Sequence, residues 1–378
     1  MILLAVILMD LLAGMEFDLF VPSFPELQTY FGLTPFWVEA LLSANFIGYC
    51  ISLFCVGSLA DRYGRKPIIL LGLLIFVIGS ILCVSAEIYP LLLVGRFLQG
   101  IGVAAPAILS FLIIADSYPL KRQQFFMAML NGSMNIAVAI APVIGSYIAL
   151  YFQWRGNFTA LLLLGLLVLL ISVRFVPNYK LPEHKETISL RGYLPLFQSK
   201  PLRLLMASIA LSFVPYWVFV GMSPLLYMKS LGVSLTHFGY YQGILALVFA
   251  VGSILFGLIM HRYVQKKMLS LANKLYLISF ATLAAVTFWD NYNALMITLA
   301  FLPFILIGVI PSNLLGPLCL NFMPQAKAKV SAVLQGSRLL FASLSLQIAG
   351  YFYQGTFRNI GIIILIFILL IPTLTFTT

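Results

Sequence analysis

Twelve apolar runs follow one another along the chain, separated by short segments of charged and turn-forming residues. Each run is close to the roughly 20 apolar residues that an α-helix needs to cross the hydrocarbon core of a bilayer. Backbone polar groups cannot stay unpaired in lipid, so runs of this length predict membrane-spanning helices. The predicted spans are residues 2–24, 36–59, 68–86, 90–115, 124–151, 157–176, 202–228, 236–260, 268–288, 294–320, 330–353 and 357–376.

The second half of this pattern repeats the first. The sequence GSLADRYGRK at residues 57–66 returns as GLIMHRYVQK at 257–266, an offset of 200, and LNGSM at 130–134 returns as LQGSR at 334–338, an offset of 204. Two distant matches at nearly the same offset indicate a duplicated six-helix unit. The sequence therefore predicts an all-α membrane protein with two pseudo-symmetric bundles. We expect an N-terminal bundle over 1–176, a polar cytoplasmic linker over 177–201 and a C-terminal bundle over 202–378.

Composition agrees with a chain whose solvent is mostly lipid. Of the 378 residues, 62% are hydrophobic and 9% are charged, and the mean hydropathy is +1.06. A soluble domain carries roughly 25% charged residues. The net charge of +11 is concentrated in short loops after the even-numbered spans, which predicts cytoplasmic termini rather than nucleic-acid binding. The lipid bilayer is thus the first predicted partner of the chain.

Residues that would hold a metal or a nucleotide are not found at the spacing such sites require. The four cysteines, at positions 50, 55, 83 and 319, lie inside apolar runs and at no metal-ligand or disulfide spacing. The three histidines are far apart, and no Walker loop is present. We therefore predict no metal site, no cofactor and no enzymatic activity, with an ion gradient rather than ATP as the energy source.

The loop after the second span carries charged residues and glycines in a dense cluster. The glycines predict a tight turn and close helix approach, and Arg65 is expected to reach Asp116 at the end of the fourth span. Together these residues would form a latch that holds one conformation and releases it in another. A plain positively charged cytoplasmic loop is the simpler alternative. The candidate latch residues are Gly57, Asp61, Arg62, Gly64, Arg65 and Asp116.

Arg96 lies inside the fourth span, where an unpaired charge costs several kcal/mol, so it needs a carboxylate partner. The first span offers Asp10, Glu16 and Asp18. Depth in the membrane predicts that Asp18 pairs with Arg96, because Asp10 is about 12 Å deeper at 1.5 Å per residue. Glu16 is expected on another face of the helix and is not favoured. A static Asp18–Arg96 strut and a pair that binds and releases a proton both remain open.

Three further motifs complete a family resemblance. The fourth span reads R-F-L-Q-G-I-G from Arg96, the fifth reads A-P-V-I-G-S from Ala141, and the first ends in D-L-F-V-P-S-F-P from Asp18. In the fifth span, Pro142 is expected to kink the helix and Gly145 to permit tight packing. With the G-x-L-A-D-R-x-G-R-K loop, the chain resembles the major facilitator superfamily. Within it, the chain looks like the Bcr/CflA-type branch of twelve-helix drug:proton antiporters.

The resemblance implies proton-driven export of small molecules across the bacterial inner membrane, by a protein predicted to be a monomer. In this interpretation Asp18, Arg96 and Asp10 couple the proton, and the partners are protons and a small-molecule substrate. Polar and aromatic side chains on the helices expected to line a cavity are candidate substrate contacts. They are Asp10, Asn45, Gln99, Asn131, Asn135, Tyr216, Trp217, Tyr241, Gln242, Asn313 and Arg338.

Two other functions are compatible with the sequence. Arg338 lies well inside the eleventh span, where it either extends to the interface or attracts an anionic substrate such as a carboxylate siderophore. A membrane receptor or scaffold that transports nothing is the second alternative. The intramembrane charges argue against it, since a scaffold has no need of them.

Overall fold

The computed structural model of the chain describes residues 1–178, 194–259, 263–289, 292–322 and 327–376. Most of the predicted linker, residues 179–193, lies outside the described residues. Every regular element in the described part of the chain is helical, as the apolar runs predict. In chain order the helices are α1 (Ile2–Asp18), α2 (Phe24–Phe31), α3 (Pro35–Tyr63), α4 (Arg65–Val84), α5 (Tyr89–Ser117), α6 (Leu120–Phe175), α7 (Leu194–Gln198), α8 (Lys200–Pro224), α9 (Leu235–Ile259), α10 (Gln265–Phe288), α11 (Ala294–Phe322), α12 (Lys327–Phe352) and α13 (Phe357–Phe376).

The twelve predicted spans all have helical counterparts. Nine described helices are long and apolar enough to cross a membrane. That count takes α6 as one helix, although its backbone leaves helical torsion angles at Gln153 and so separates the fifth span from the sixth. It also leaves out α1, with 17 residues, and α13, whose described apolar part is Phe357–Ile371.

The chain forms two compact units. The first contains Met1–Gly32 and Ala40–Ser189, and the second contains Leu33–Glu39 and Leu190–Thr378. In the first unit, α1 packs against α5 and α6, and α4 packs against α5 and α6. In the second, α8 packs against α11, α12 and α13, and α10 packs against α11 and α13. The start of α3 thus belongs to the second unit, although the rest of that helix belongs to the first.

A left-handed glycine precedes the second long helix of each repeat. Gly32 follows α2 with φ 63°, and Gly232 has φ 70° before α9 begins. A residue with a side chain adopts this backbone conformation at a cost, whereas glycine does so freely. The two glycines are 200 residues apart, the offset at which the loop sequences repeat, so the duplication extends to backbone torsion angles.

Candidate functional site

A buried ion pair lies between α5 and α1 of the first unit. The Arg96 Nη1 atom is 2.8 Å from Glu16 Oε1, and neither side chain is exposed to solvent. The guanidinium carbon also lies 4.0 Å from the centre of the Phe20 ring, within the range of a cation–π interaction. Arg96 is therefore held by a carboxylate on one side and an aromatic face on the other.

Three polar side chains extend this pair into a buried network. The Asn45 side-chain amide donates to Glu16 Oε1 and, at 3.1 Å, to the Arg96 carbonyl. Arg96 Nη1 donates to Gln99 Oε1 at 2.6 Å, and the Gln99 amide donates to Ser80 Oγ at 2.8 Å. These bonds connect α1, α3, α4 and α5 and fix the position of the guanidinium.

Glycines bring the helices of this network close together. A Cβ atom built on Gly100 would lie 2.0 Å from the Asn45 carbonyl oxygen, and one built on Gly102 would lie 2.4 Å from the Phe76 amide nitrogen. Real side chains essentially never approach backbone so closely. The glycines of the R-F-L-Q-G-I-G motif thus let α5 contact α3 and α4 directly, which brings Asn45 to Arg96 and Ser80 to Gln99.

The partner of Arg96 differs from the predicted one. Depth along α1 favours Asp18, but the structure pairs Arg96 with Glu16. Glu16 and Asp18 are two residues apart and so lie about 200° apart around the helix. The face of α1 that carries Glu16 is turned toward Arg96, so Glu16 and not Asp18 forms the ion pair. Asp18 is 3% exposed and forms no ion pair among the described residues.

Several polar atoms of the network keep unused hydrogen-bonding capacity. Within the described part of the chain, Glu16 Oε2, Asn45 Oδ1 and the Nε and Nη2 atoms of Arg96 are buried without a hydrogen-bond partner. Buried polar atoms are satisfied in most proteins, so such atoms call for an explanation. A site that exchanges protons or partners needs donors and acceptors that are free in one of its states.

Asp10 occupies a separate position deeper along α1. Its side chain is fully buried, and Oδ1 accepts a long hydrogen bond of 3.5 Å from Ser110 Oγ on α5. Oδ2 has no partner among the described residues. Asp10 is therefore not part of the Arg96 network, and the structure leaves its carboxyl group with one weak contact.

The predicted contact of the loop after the second span is present. Arg65 Nε lies 3.0 Å from Asp116 Oδ2, and Arg65 Nη1 also contacts Asp61 Oδ1. Gly64 has φ 100° and ends the loop immediately before α4, as a tight turn requires. The prediction that two helices approach closely at Gly57 is wrong, because a Cβ atom built there would meet no heavy atom of the described residues within 4 Å. Arg62 lies over the Tyr63 ring at 5.3 Å.

The A-P-V-I-G-S segment brings α6 into close contact with the end of α1, and the break in α6 lies further along the helix. A Cβ on Gly145 would lie 1.9 Å from the Leu19 carbonyl oxygen, so α6 contacts the end of α1 at this glycine. The backbone leaves helical torsion angles at Gln153, with φ 58° and ψ −173°, well beyond Pro142. The break therefore falls between the predicted spans 124–151 and 157–176, as expected, and the tight packing expected at Gly145 is confirmed.

Arg155 fixes the chain just after this break. Its Nη2 donates to the Ala86 carbonyl at 2.9 Å and to the Tyr30 hydroxyl at 3.1 Å. The guanidinium also lies over the Trp154 ring at 4.1 Å. The W-R segment thus anchors the second part of α6 to α2 and to the loop between α4 and α5.

Among the described residues, the remaining substrate candidates have contacts of several kinds. Asn131 is exposed and bonds to Met127 of its own helix, and Asn135 is partly buried. In the second unit the side chains have several separate partners. Tyr216 contacts Trp217 at 5.6 Å, Tyr241 contacts Tyr227 at 5.5 Å, Gln242 bonds to Val220 and Ser223, Asn313 bonds to Ser253 and Val309, and the Arg338 guanidinium lies 3.5 Å from the Phe213 ring centre.

Two buried acids were not singled out by sequence reasoning. Glu16 is visible in the sequence as an intramembrane charge, but it was not favoured as the partner of Arg96 because it was expected on another face of α1. Glu39, near the start of α3, is fully buried, yet in the sequence it looks like an ordinary charge at the membrane interface. A carboxylate inside a predicted span is the one signal that marks both residues.

Known proteins resemble this chain in sequence. The family model described as the Major Facilitator Superfamily matches residues 6–346. The Multidrug resistance protein MdtL of Klebsiella pneumoniae (strain 342) is 28% identical over 239 residues, which cover 61% of this chain and 59% of the relative. MdtL of Escherichia coli O9:H4 (strain HS) is 29% identical over 244 residues, covering 62% and 59%. The match thus spans about three fifths of the length of these curated relatives.

Solved structures resemble it in fold. A bacterial homolog to human lysosomal transporter Spinster, in an inward-facing and occupied conformation, aligns with a TM-score of 0.80 at 16% identity and covers 99% of this chain and 95% of that one. A D-xylose-proton symporter aligns with a TM-score of 0.75 at 17% identity, covering 98% and 96%. The predicted all-α transporter fold is confirmed by these likenesses, which at such identities concern the fold alone.

Proposed function

The chain belongs to the Major Facilitator Superfamily, and we propose that it is a proton-coupled transporter that exports drug-like or amphipathic small molecules. We place it in the bacterial inner membrane with both termini in the cytoplasm, where the proton gradient supplies the energy. The named relatives are multidrug resistance proteins, which supports export.

The buried Arg96–Glu16 pair is the observation that carries this proposal. Removing two charges from water is costly, and a buried pair is weak evidence for stability. If this position served packing alone, hydrophobic side chains would fill it without the cost of burying charge. Retention of an arginine, a carboxylate and two amides in a fully buried network favours a functional role.

Charge balance connects this network to protons. In the first unit α1 carries three buried carboxyl groups, those of Asp10, Glu16 and Asp18, whereas Arg96 is the buried cation among the described residues. One guanidinium neutralises one carboxylate. The others are stable in a water-excluded site when they carry a proton or meet another cation. We infer that α1 binds protons in this state, and that Arg96 can exchange the carboxylate it neutralises.

The substrate is proposed to be amphipathic and neutral or cationic. The surplus of acidic over basic groups on α1 favours a positive charge, and Asp10 offers an oxygen without a partner among the described residues. The alternative of an organic anion rested on Arg338. That guanidinium lies against Phe213, a contact that gives no support to anion binding, so we retain the exporter.

Substrate-driven proton release in inverted membrane vesicles tests the proposal. A pH-sensitive dye reports the lumen while a panel of cationic, neutral and anionic amphipathic compounds is added. We expect proton release with cationic or neutral compounds, and its loss in Glu16→Gln. Glu87→Gln is the matched control, because Glu87 is an exposed carboxylate. Absence of proton release with every compound, or release driven only by anions, would contradict the proposal.

A further inference from the structure

Glu39 is a buried acid that the proposed mechanism does not use. It lies in the first turns of α3, and its side chain is fully buried. Neither Oε1 nor Oε2 has a hydrogen-bond partner among the described residues, and none of the ion pairs there includes Glu39. An acid this isolated differs from Glu16, whose charge is matched by Arg96.

The Glu39 carboxyl group lies beside the backbone of Gly221 on α8. A Cβ atom on Gly221 of α8 would lie 2.4 Å from Glu39 Oε2 and 2.4 Å from a methyl carbon of Leu346 on α12. One turn earlier, a Cβ on Gly350 of α12 would lie 2.9 Å from the Phe36 Cα atom. The start of α3 thus packs on two glycines of α8 and α12, which belong to the same unit. We call this arrangement docked.

None of the described ion pairs joins the carboxyl group to a cation of these two helices. Tyr216 is separated from Gly221 by about 7.5 Å of helix rise, and Arg338 is separated from Leu346 by about 12 Å. Arg338 instead lies over Phe213. The charged and titratable residues of α8 are Lys200, Arg203 and Tyr216, and those of α12 are Lys327, Lys329, Arg338 and Tyr351.

We propose that Glu39 is a second proton-binding site, which holds its proton while the start of α3 is docked on Gly221 and Gly350 and releases it to water when this turn undocks. An ionised carboxylate without a partner in a water-excluded site is very costly, whereas the neutral acid is tolerated. Docking and protonation are therefore linked. This inference rests on the proposed proton-coupled function but concerns a residue outside the Arg96 network.

The docking equilibrium can be measured with spin labels on the whole protein in nanodiscs. Trp37 and Tyr351 are 46% and 73% exposed, so cysteines at these positions accept labels after the exposed Cys55 is replaced by serine. Dipolar broadening of the continuous-wave spectra between pH 5 and pH 9 gives the ratio of docked to undocked protein, because both positions line one cavity and the labels broaden each other's spectra only while docked. We expect this ratio to fall as pH rises, by up to about tenfold per pH unit for one linked proton.

Two substitutions that cannot ionise test whether Glu39 is responsible. Glu39→Gln and Glu39→Met should both keep the docked spectrum across the whole range, whereas Glu87→Gln should keep the pH dependence. Two substitutions are used so that one misfolded variant does not end the test. Broadening that does not change with pH in the native protein overturns the inference, as does an unchanged pH dependence in either variant.

This measurement is independent of the proposed transport activity. It requires no substrate, so a protein that exports no tested compound can still show the Glu39 titration. Conversely, normal substrate-driven proton release together with broadening that does not change with pH removes the role of Glu39 and leaves the exporter intact. The two proposals therefore fail by different results.

Discussion

Arg96 of α5 and Phe301 of α11 each contact an aromatic ring, one in each unit. Each is the eighth residue of a 29-residue helix, α5 or α11. Arg96 lies 4.0 Å from the Phe20 ring centre, and Phe301 stacks on Phe219 at 4.5 Å with an interplanar angle of 16°. The ring beside α5 meets a guanidinium, whereas the ring beside α11 meets a second aromatic ring. The two helices thus have the same length and differ in the chemistry of this contact.

Removing one partner of the buried Arg96–Glu16 pair should lower the free energy of unfolding. Glu16→Gln leaves the Arg96 guanidinium without its carboxylate in a fully buried site, and removal of one partner of a buried pair costs about 3 to 5 kcal/mol. Thermal unfolding in detergent measures this loss. Asp116→Asn is the control, because its partner Arg65 is partly exposed and such pairs contribute about 0 to 1 kcal/mol. Equal losses in both variants would contradict the assignment.

The pair should also be non-additive. The double variant Glu16→Gln with Arg96→Gln removes both charges, so it should be more stable than the sum of the single losses predicts, by about 0.5 to 3 kcal/mol. The same three proteins in the vesicle assay should all lack substrate-driven proton release. Retained proton release in the double variant would place the coupling elsewhere on α1.

Gly145 and Gly57 should respond oppositely to alanine. At Gly145 a Cβ would meet the Leu19 backbone at 1.9 Å, so α1 or α6 has to move. At Gly57 a Cβ meets open space among the described residues, and alanine in a helix is favoured over glycine by about 0.5 to 1 kcal/mol. Unfolding temperatures should therefore fall in Gly145→Ala and rise slightly in Gly57→Ala. A similar change in both would show that the close contact at Gly145 is absent.

Replacing Gln153 with glycine should stabilise the protein. Its backbone has φ 58° and ψ −173°, a conformation that glycine adopts freely and that costs other residues about 1 to 3 kcal/mol. Gln153→Gly should raise the unfolding temperature, whereas Gln153→Ala should not, because alanine keeps the strain. A decrease in Gln153→Gly, with the Arg155 contacts intact, would mean that the strained geometry is not populated.

The stability contributed by Glu26 should decline as pH rises. Partial burial raises the pKa of this carboxyl group in α2, although the Trp154 backbone N–H and the nearby Arg155 oppose the rise. A raised native pKa means that the folded protein binds the proton more tightly than the unfolded chain, so ionisation above that pKa is destabilising. Glu26→Gln should gain stability relative to the native protein between pH 4 and pH 8. A difference that stays constant or shrinks over this range would contradict the assignment.

Sequence alone located the helices well, because the length of an apolar run determines whether it can span lipid. It also identified Arg96 as a charge in need of a carboxylate. It chose Asp18 over Glu16 as that partner, and this choice was wrong, since residue counting gives depth along a helix but not the face that meets a neighbour. Glu39 was hidden for a similar reason, because its isolation depends on Gly221 and Gly350, which are distant in sequence.

The segment Leu33–Glu39 has a consequence for dissecting the chain genetically. A gene fragment that begins after the predicted linker would encode α8 and α12 but not the seven residues that cover Gly221 and Gly350. Such a fragment would leave these two glycines without the residues that pack on them. Co-expression of an amino-terminal fragment that contains Leu33–Glu39 should restore the packing on these glycines. An amino-terminal fragment that ends before residue 33 should not restore it.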